Sequence, residues 1–147
     1  MLPDDRLRVF FDADVLIAGA ASGTGASHLL LRLAELGLIR GLTCTQAVRE
    51  AERNLREKLP AAVPVFRAIL ASAEIAVVPE ARRGSLEQLR GLAHENDLPI
   101  LAAALEGESD YLATFNVRHY RIAGGKMRIS RPGDVVARIR RLLAESL

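Results

Sequence analysis

A few oxygen-bearing side chains stand out by where they fall against apolar runs. Asp12 follows Val-Phe-Phe directly, and Asp14 comes two residues later. Glu50 lies in the first turns of a helical pattern, Asp97 precedes Leu-Pro-Ile-Leu, and Asn116 closes the run Ala-Thr-Phe-Asn. A carboxylate set against apolar residues is costly to bury without a partner or a cation. Several carboxylates with no His or Cys cluster beside them suit a hard, oxygen-preferring ion such as Mg2+ or Mn2+. Plainer readings stand next to this one. Asp97 can cap the helix that follows it, Glu50 can be solvated or paired with Arg53 or Asn54, and Asp110 can turn the chain. Asp12 is the hardest to explain as structure alone. His28 and His94 fall in helical stretches and read as structural, whereas His119 and Arg118 sit in a basic loop where substrate contact is expected. Cys44 follows an apolar strand and reads as buried and inert.

The elements that must position these groups alternate between strand and helix. The segment from Arg6 to Ile17 reads as a buried strand ending near Asp12, followed by a Gly/Ser segment from Gly19 to Ser27. A helix is expected from about His28 to Leu36, stopped by Gly37. A second strand covers Leu42 to Thr45, and Thr43 or Thr45 caps a helix on which Ala47, Val48, Ala51 and Leu55 keep a 3.6-residue period up to Pro60. Further helices are expected over Ala61–Ala73, from a Ser85 cap to His94, and from Leu98 to a stop at Gly107. Glu74 to Val78, Tyr111 to Thr114 and Met127 to Ile129 supply three more strands, and Pro132 to Ser146 a basic amphipathic helix. This order predicts one three-layer α/β/α domain over residues 1–147 with a parallel central sheet. In such sheets functional groups collect outside the carboxyl ends of the strands, which brings Asp12, Asp14, Glu50, Asp97 and Asn116 to one edge.

Composition narrows the class. The chain has 147 residues, half of them apolar and 26% charged, as in a globular protein with one core. The longest uncharged stretch, Val15 to Leu31, contains three Gly and two Ser and cannot be a solid membrane span. The N-terminus begins with acidic residues where a secretory signal needs positive charge, so a cytoplasmic location is expected. Charge is unevenly placed. Arg118 to Leu147 holds seven Arg and one Lys against one Asp and one Glu, a balance of +6, while the preceding residues carry −4. That asymmetry points to an anionic partner, and arginine, which makes up nearly all the cations, suits phosphate oxygens; it equally reflects genome composition.

Three blocks of the sequence, VFFDADVLIAG, TQAVREAERNL and NDLPILAAALEGESDYLATFNVRHY, resemble the successive blocks of the PIN domain, a metal-dependent ribonuclease fold. The closing ISRPGDVVARI resembles that family's last strand and helix, so the resemblance covers most of the chain. It implies a Mg2+- or Mn2+-dependent endoribonuclease that cleaves single-stranded or structured RNA. Its acids fall on Asp12, Glu50 and Asp97, and its Thr on Thr114. Two positions depart: the family often has Asn or Ser where this chain has Asp14, and Asp where it has Asn116. On this reading Asp12, Asp97, Glu50, Asn116 and Asp14 hold metal, while Thr114, Asn116, Arg118 and His119 position RNA. Single-domain relatives are often toxins silenced by a small antitoxin, so an antitoxin and a homodimer or higher oligomer are implied partners, and no membrane is.

Other readings remain open here. A PIN-like scaffold weakened through Asn116 would bind RNA or protein without cutting. Asp12-Ala-Asp14 also matches the strand-end motif of haloacid-dehalogenase-type phosphatases, although neither Lys58 nor Lys126 precedes an acidic pair. Gly23-Thr-Gly25-Ala-Ser lacks the later glycine or lysine of a phosphate-binding loop and reads as a turn.

Overall fold

The computed structural model describes residues 4–121 and 125–146, which leaves the first three residues of the acidic N-terminus outside them. Strand β1 (Leu7–Phe11) is followed by helices α1 (Ala13–Ala21) and α2 (Ala26–Glu35), then β2 (Ile39–Cys44), α3 (Thr45–Lys58) and α4 (Ala62–Ser72). The second half runs β3 (Ala76–Val78), α5 (Arg83–Gln88), α6 (Leu98–Glu106), β4 (Tyr111–Ala113), β5 (Arg128–Ser130) and α7 (Pro132–Glu145). Single 3-10 turns at Glu95–Asp97 and Val117–His119 precede α6 and follow β4.

All five strands are parallel, in the order β3-β2-β1-β4-β5, and helices flank the sheet. This is the three-layer α/β/α arrangement that the alternation predicts. Val9, Phe10 and Phe11 are fully buried, as expected of a central strand covered on both faces. The chain moves outward from β1 through β2 to β3, then returns to place β4 on the other side of β1. The order therefore reverses between β1 and β4, and the carboxyl ends of those two strands flank the crevice that such a reversal opens. No helix among the described residues is long and apolar enough to cross a membrane.

Three local expectations need correction. The segment after Asp12 is helix α1, not the end of a strand leading into a glycine turn. Gly19 lies inside that helix, where a Cβ would sit 2.3 Å from Leu31 Cδ1, so the missing side chain lets α1 and α2 touch. The helix expected from Ser85 to His94 is only α5, and Arg82, not Ser85, holds the N-cap position. Gly91, at a φ of 90°, turns the chain out of helix, and Ala93 pairs with Tyr120 in an isolated antiparallel bridge. Finally, neither Thr43 nor Thr45 caps α3. Cys44 occupies the cap position, and Thr43 Oγ1 instead donates to the Phe11 carbonyl at 2.9 Å.

Gly41, in β2, faces a similar contact. A Cβ would lie 2.5 Å from Ile75 Cδ1 and 2.9 Å from Phe11 Cε2. Gly41→Ala should destabilise the fold by about 1–3 kcal/mol through overpacking, read as a lower urea midpoint at unchanged slope.

Candidate active site

Asp12 ends β1 and begins α1, and it is only 7% exposed. Its main-chain N–H donates to the Ala113 carbonyl, tying the end of β1 to the end of β4. The carboxylate is held from three directions. Oδ1 accepts from the Ala13 N–H at 2.7 Å, while Oδ2 accepts from the Tyr120 hydroxyl at 2.8 Å and from Thr114 Oγ1 at 3.0 Å. Burial pushes this carboxyl above the usual carboxylate range, the three donors pull it back, and the nearby charge of Asp97 pushes it up again. Burial, with the charge of Asp12, keeps the Tyr120 phenol protonated and therefore a donor.

Asp14 stands on the first turn of α1. Its Oδ2 accepts from the Phe115 N–H at 3.0 Å, from Asn116 Nδ2 at 3.1 Å and, more distantly, from Thr114 Oγ1 at 3.3 Å. Thr114 has one hydroxyl proton, and the shorter contact assigns it to Asp12. Asp14 Oδ1 is buried and has no hydrogen-bond partner. Burial first, then the charge of Asp12, raises the Asp14 carboxyl to about 6.

Glu50 reaches the same place from α3. Its Oε1 accepts from Gln46 Nε2 at 3.0 Å, and the same amide nitrogen donates to the Asn96 carbonyl at 2.8 Å. Its helix neighbour Glu52 pairs with Arg67 and Arg56, whereas Glu50 has no cationic partner among the described residues. Asp97 occupies the N-cap position of α6 but makes no capping bond with its side chain. Its Oδ2 lies 3.5 Å from His119 Nδ1 instead.

Asp12, Asp14, Glu50, Asp97, Asn116 and His119 all line one cleft of about 650 Å3. Neither lysine lines it, so the group a phosphatase of the Asp-x-Asp type requires is not beside Asp12. Two expected positioning residues fall elsewhere. Thr114 is fully buried with its hydroxyl engaged by carboxylates, so it holds the acids and does not reach a substrate. Arg118 lines an adjoining recess. Asn116 presents its amide nitrogen to Asp14 as a hydrogen-bond donor. Sequence reasoning passed over Tyr120 and Gln46, and it read His94 as structural, whereas His94 lines the cleft. Tyr120 has no local signal, because its partner Asp12 lies 108 positions away. Gln46, one helical turn before Glu50, was readable as an i, i+4 pair.

The donor set fits a hard divalent cation. It is rich in carboxylates and amides, with His94 and His119 also lining the cleft, contains no thiolate, and includes Asp14, whose buried Oδ1 has no hydrogen-bond partner. No three of the described His, Cys, Asp and Glu side chains form a ready-made shell. Mg2+ does not require one, since it commonly keeps several waters and takes only one or two carboxylates.

The family model described as PIN domain matches residues 8–118, about three quarters of the chain. No curated protein matches it. The matched segment contains Asp12, Asp14, Glu50, Asp97 and Asn116, and it stops just short of His119 and Tyr120.

The raised Asp14 carboxyl sets a pH dependence. A carboxyl that is harder to ionise folded than unfolded stabilises the fold below its unfolded value near 4 and loses that contribution as pH rises through about 6. Asp12, shifted the same way, adds to the trend. In chelator, stability should therefore fall between pH 4 and 7 by an amount on the order of 2 kcal/mol, and Asp14→Asn should flatten that slope. Urea midpoints across the range measure both.

Proposed function

Because the chain belongs to the PIN domain family, whose members are generally nucleases, we propose that residues 1–147 form one PIN-like domain acting as a divalent-metal-dependent endoribonuclease. The observation that carries this reading is the meeting of Asp12, Asp14, Glu50 and Asp97 in one cleft, with a buried carboxylate oxygen left without a partner. Asp12 and Asp97, with Asp14, would hold Mg2+ or Mn2+. When bound, such an ion acidifies a water and neutralises charge developing on the phosphate.

The residues around it supply geometry. Thr114 and Tyr120 fix the Asp12 carboxylate in one orientation, so its outward lone pairs need no rearrangement. Gln46 holds Glu50 against the loop that leads to Asp97, where Glu50 aligns a water for attack. His119 and Arg118 meet the RNA, and the arginines of the C-terminal third hold its backbone. The finer reading is a cytoplasmic toxin, a homodimer or higher oligomer silenced by a small antitoxin, which rests on the resemblance alone. Asn116 favours a second reading, a weakened RNA- or protein-binding module, because it contributes an amide donor where an acid is usual.

Purified chain should cut RNA in Mg2+ or Mn2+ and fall silent in chelator, as followed by gel electrophoresis of a labelled oligonucleotide. Asp12→Asn should lower the rate at least about 100-fold while leaving the metal-free fold no less stable, since one repelling carboxylate is gone. Cleavage that survives both treatments would belong to another site or a contaminant.

Asn116→Asp tests the second reading. Exchanging a donor for a carboxylate beside Asp14 should lower metal-free stability by about 1–2 kcal/mol and tighten Mn2+ binding. Calorimetric titration of both forms compares the affinities, and indistinguishable isotherms would place Asn116 outside the metal shell.

A further inference from the structure

Next to the acid cleft lies a smaller recess of about 290 Å3 that shares His94 and His119 as walls. Gly91, Leu92, Ala93, Arg118 and Arg121 complete it. Its construction follows from the Ala93–Tyr120 bridge. Arg121 N–H donates to the Leu92 carbonyl at 2.6 Å, so two chain segments run antiparallel over this short distance. Side chains alternate across such a pair. Tyr120 turns inward onto Asp12, and His119 turns outward.

The next pair along the bridge is His94 and His119. Their rings meet edge to face, with centroids 4.7 Å apart and planes at 79°. Asp97 Oδ2 lies 3.5 Å from Nδ1 of the His119 ring. Both rings nevertheless remain exposed, as do Arg118 and Arg121. Neither arginine has an ion-pair partner among the described residues, although the molecule pairs Arg32, Arg56 and Arg67 with acids. Two flat rings and two guanidinium groups without acid partners among the described residues thus stand together beside the acidic cleft.

We infer that this recess receives the unpaired nucleotide flanking the phosphate in the acid cleft, its base stacked on the His94–His119 pair and its own phosphate met by Arg118 and Arg121. The inference rests on the nuclease reading above and assigns to this recess the contact with an unpaired base. A base inside a duplex is already stacked on its neighbours and has no free face for the histidines, whereas an unpaired base of any identity does. Arginine supplies the paired donors that a phosphate accepts.

The test is binding, not cleavage. Asp12→Asn chain in chelator is titrated into a fluorescent single-stranded RNA and into a duplex of the same sequence, with anisotropy as the readout. The single strand should bind about tenfold more tightly. Joint His94→Ala and His119→Ala should remove about tenfold of the single-strand affinity and leave duplex binding unchanged, while His94→Tyr with His119→Tyr should restore most of the loss. Joint Arg118→Gln and Arg121→Gln should reduce the slope of log affinity against log salt by about one to two. Unaltered single-strand binding in the alanine pair, or equal losses for strand and duplex, would overturn the subsite. A wild-type chain that never cuts RNA while the histidine variants still lose single-strand binding would remove the nuclease reading and keep the subsite.

Discussion

A carboxylate buried at the point where the strand order reverses governs the rest of this molecule. Asp12 sits at the end of the central strand, where ionisation is opposed by desolvation and by Asp97. It stays anchored because Ala13, Thr114 and Tyr120 converge on it with hydrogen-bond donors. Each donor imposes a condition on the fold. The first requires a helix to start at once after β1, the second that β4 lie beside β1, and the third that the chain beyond β4 double back over the sheet edge. The topology is thus partly written by one charge.

Much of this was legible in the sequence, for reasons that can be named. The order of strands and helices follows from short apolar runs separated by amphipathic segments, and the parallel sheet from their alternation. Asp12, Glu50 and Asp97 could be brought to one edge because a parallel sheet sends every strand end the same way. Helix α1 was hidden because its mean composition is apolar on all sides and because Gly19 imitates a break, although it serves as a contact. The stretch from Leu89 to His94 was hidden for the opposite reason: its pattern is helical, and a tertiary bridge to Tyr120 overrides it. Tyr120 itself was illegible. No local rule links a tyrosine to an aspartate more than a hundred residues away.

The cleft also divides its acids by support. Asp12 and Asp14 are held by several donors each, Glu50 by one amide, and Asp97 by none but the distant His119 contact. This gradient runs from the sheet outward and follows burial. The groups nearest the strand ends are fixed by the fold, and those on α3 and at the start of α6 keep side-chain freedom to adjust to what enters. A rigid inner pair with an adaptable outer pair suits an ion that retains part of its water shell, because the outer pair can act through those waters.

The alternation at the Ala93–Tyr120 bridge has an evolutionary consequence. His119 and Tyr120 are adjacent in sequence yet face opposite ways, one to the cleft mouth and one to the buried carboxylate. Loss of a single residue between Thr114 and His119 would bring the Tyr120 phenol out beside Asp97 and set Arg121 against Asp12, whereas gain of one would turn the His119 imidazole inward onto Asp12. The length of that loop is therefore under tighter constraint than its composition. Related chains should vary freely in what they place at Phe115 or Val117, and far less in how many residues they place there.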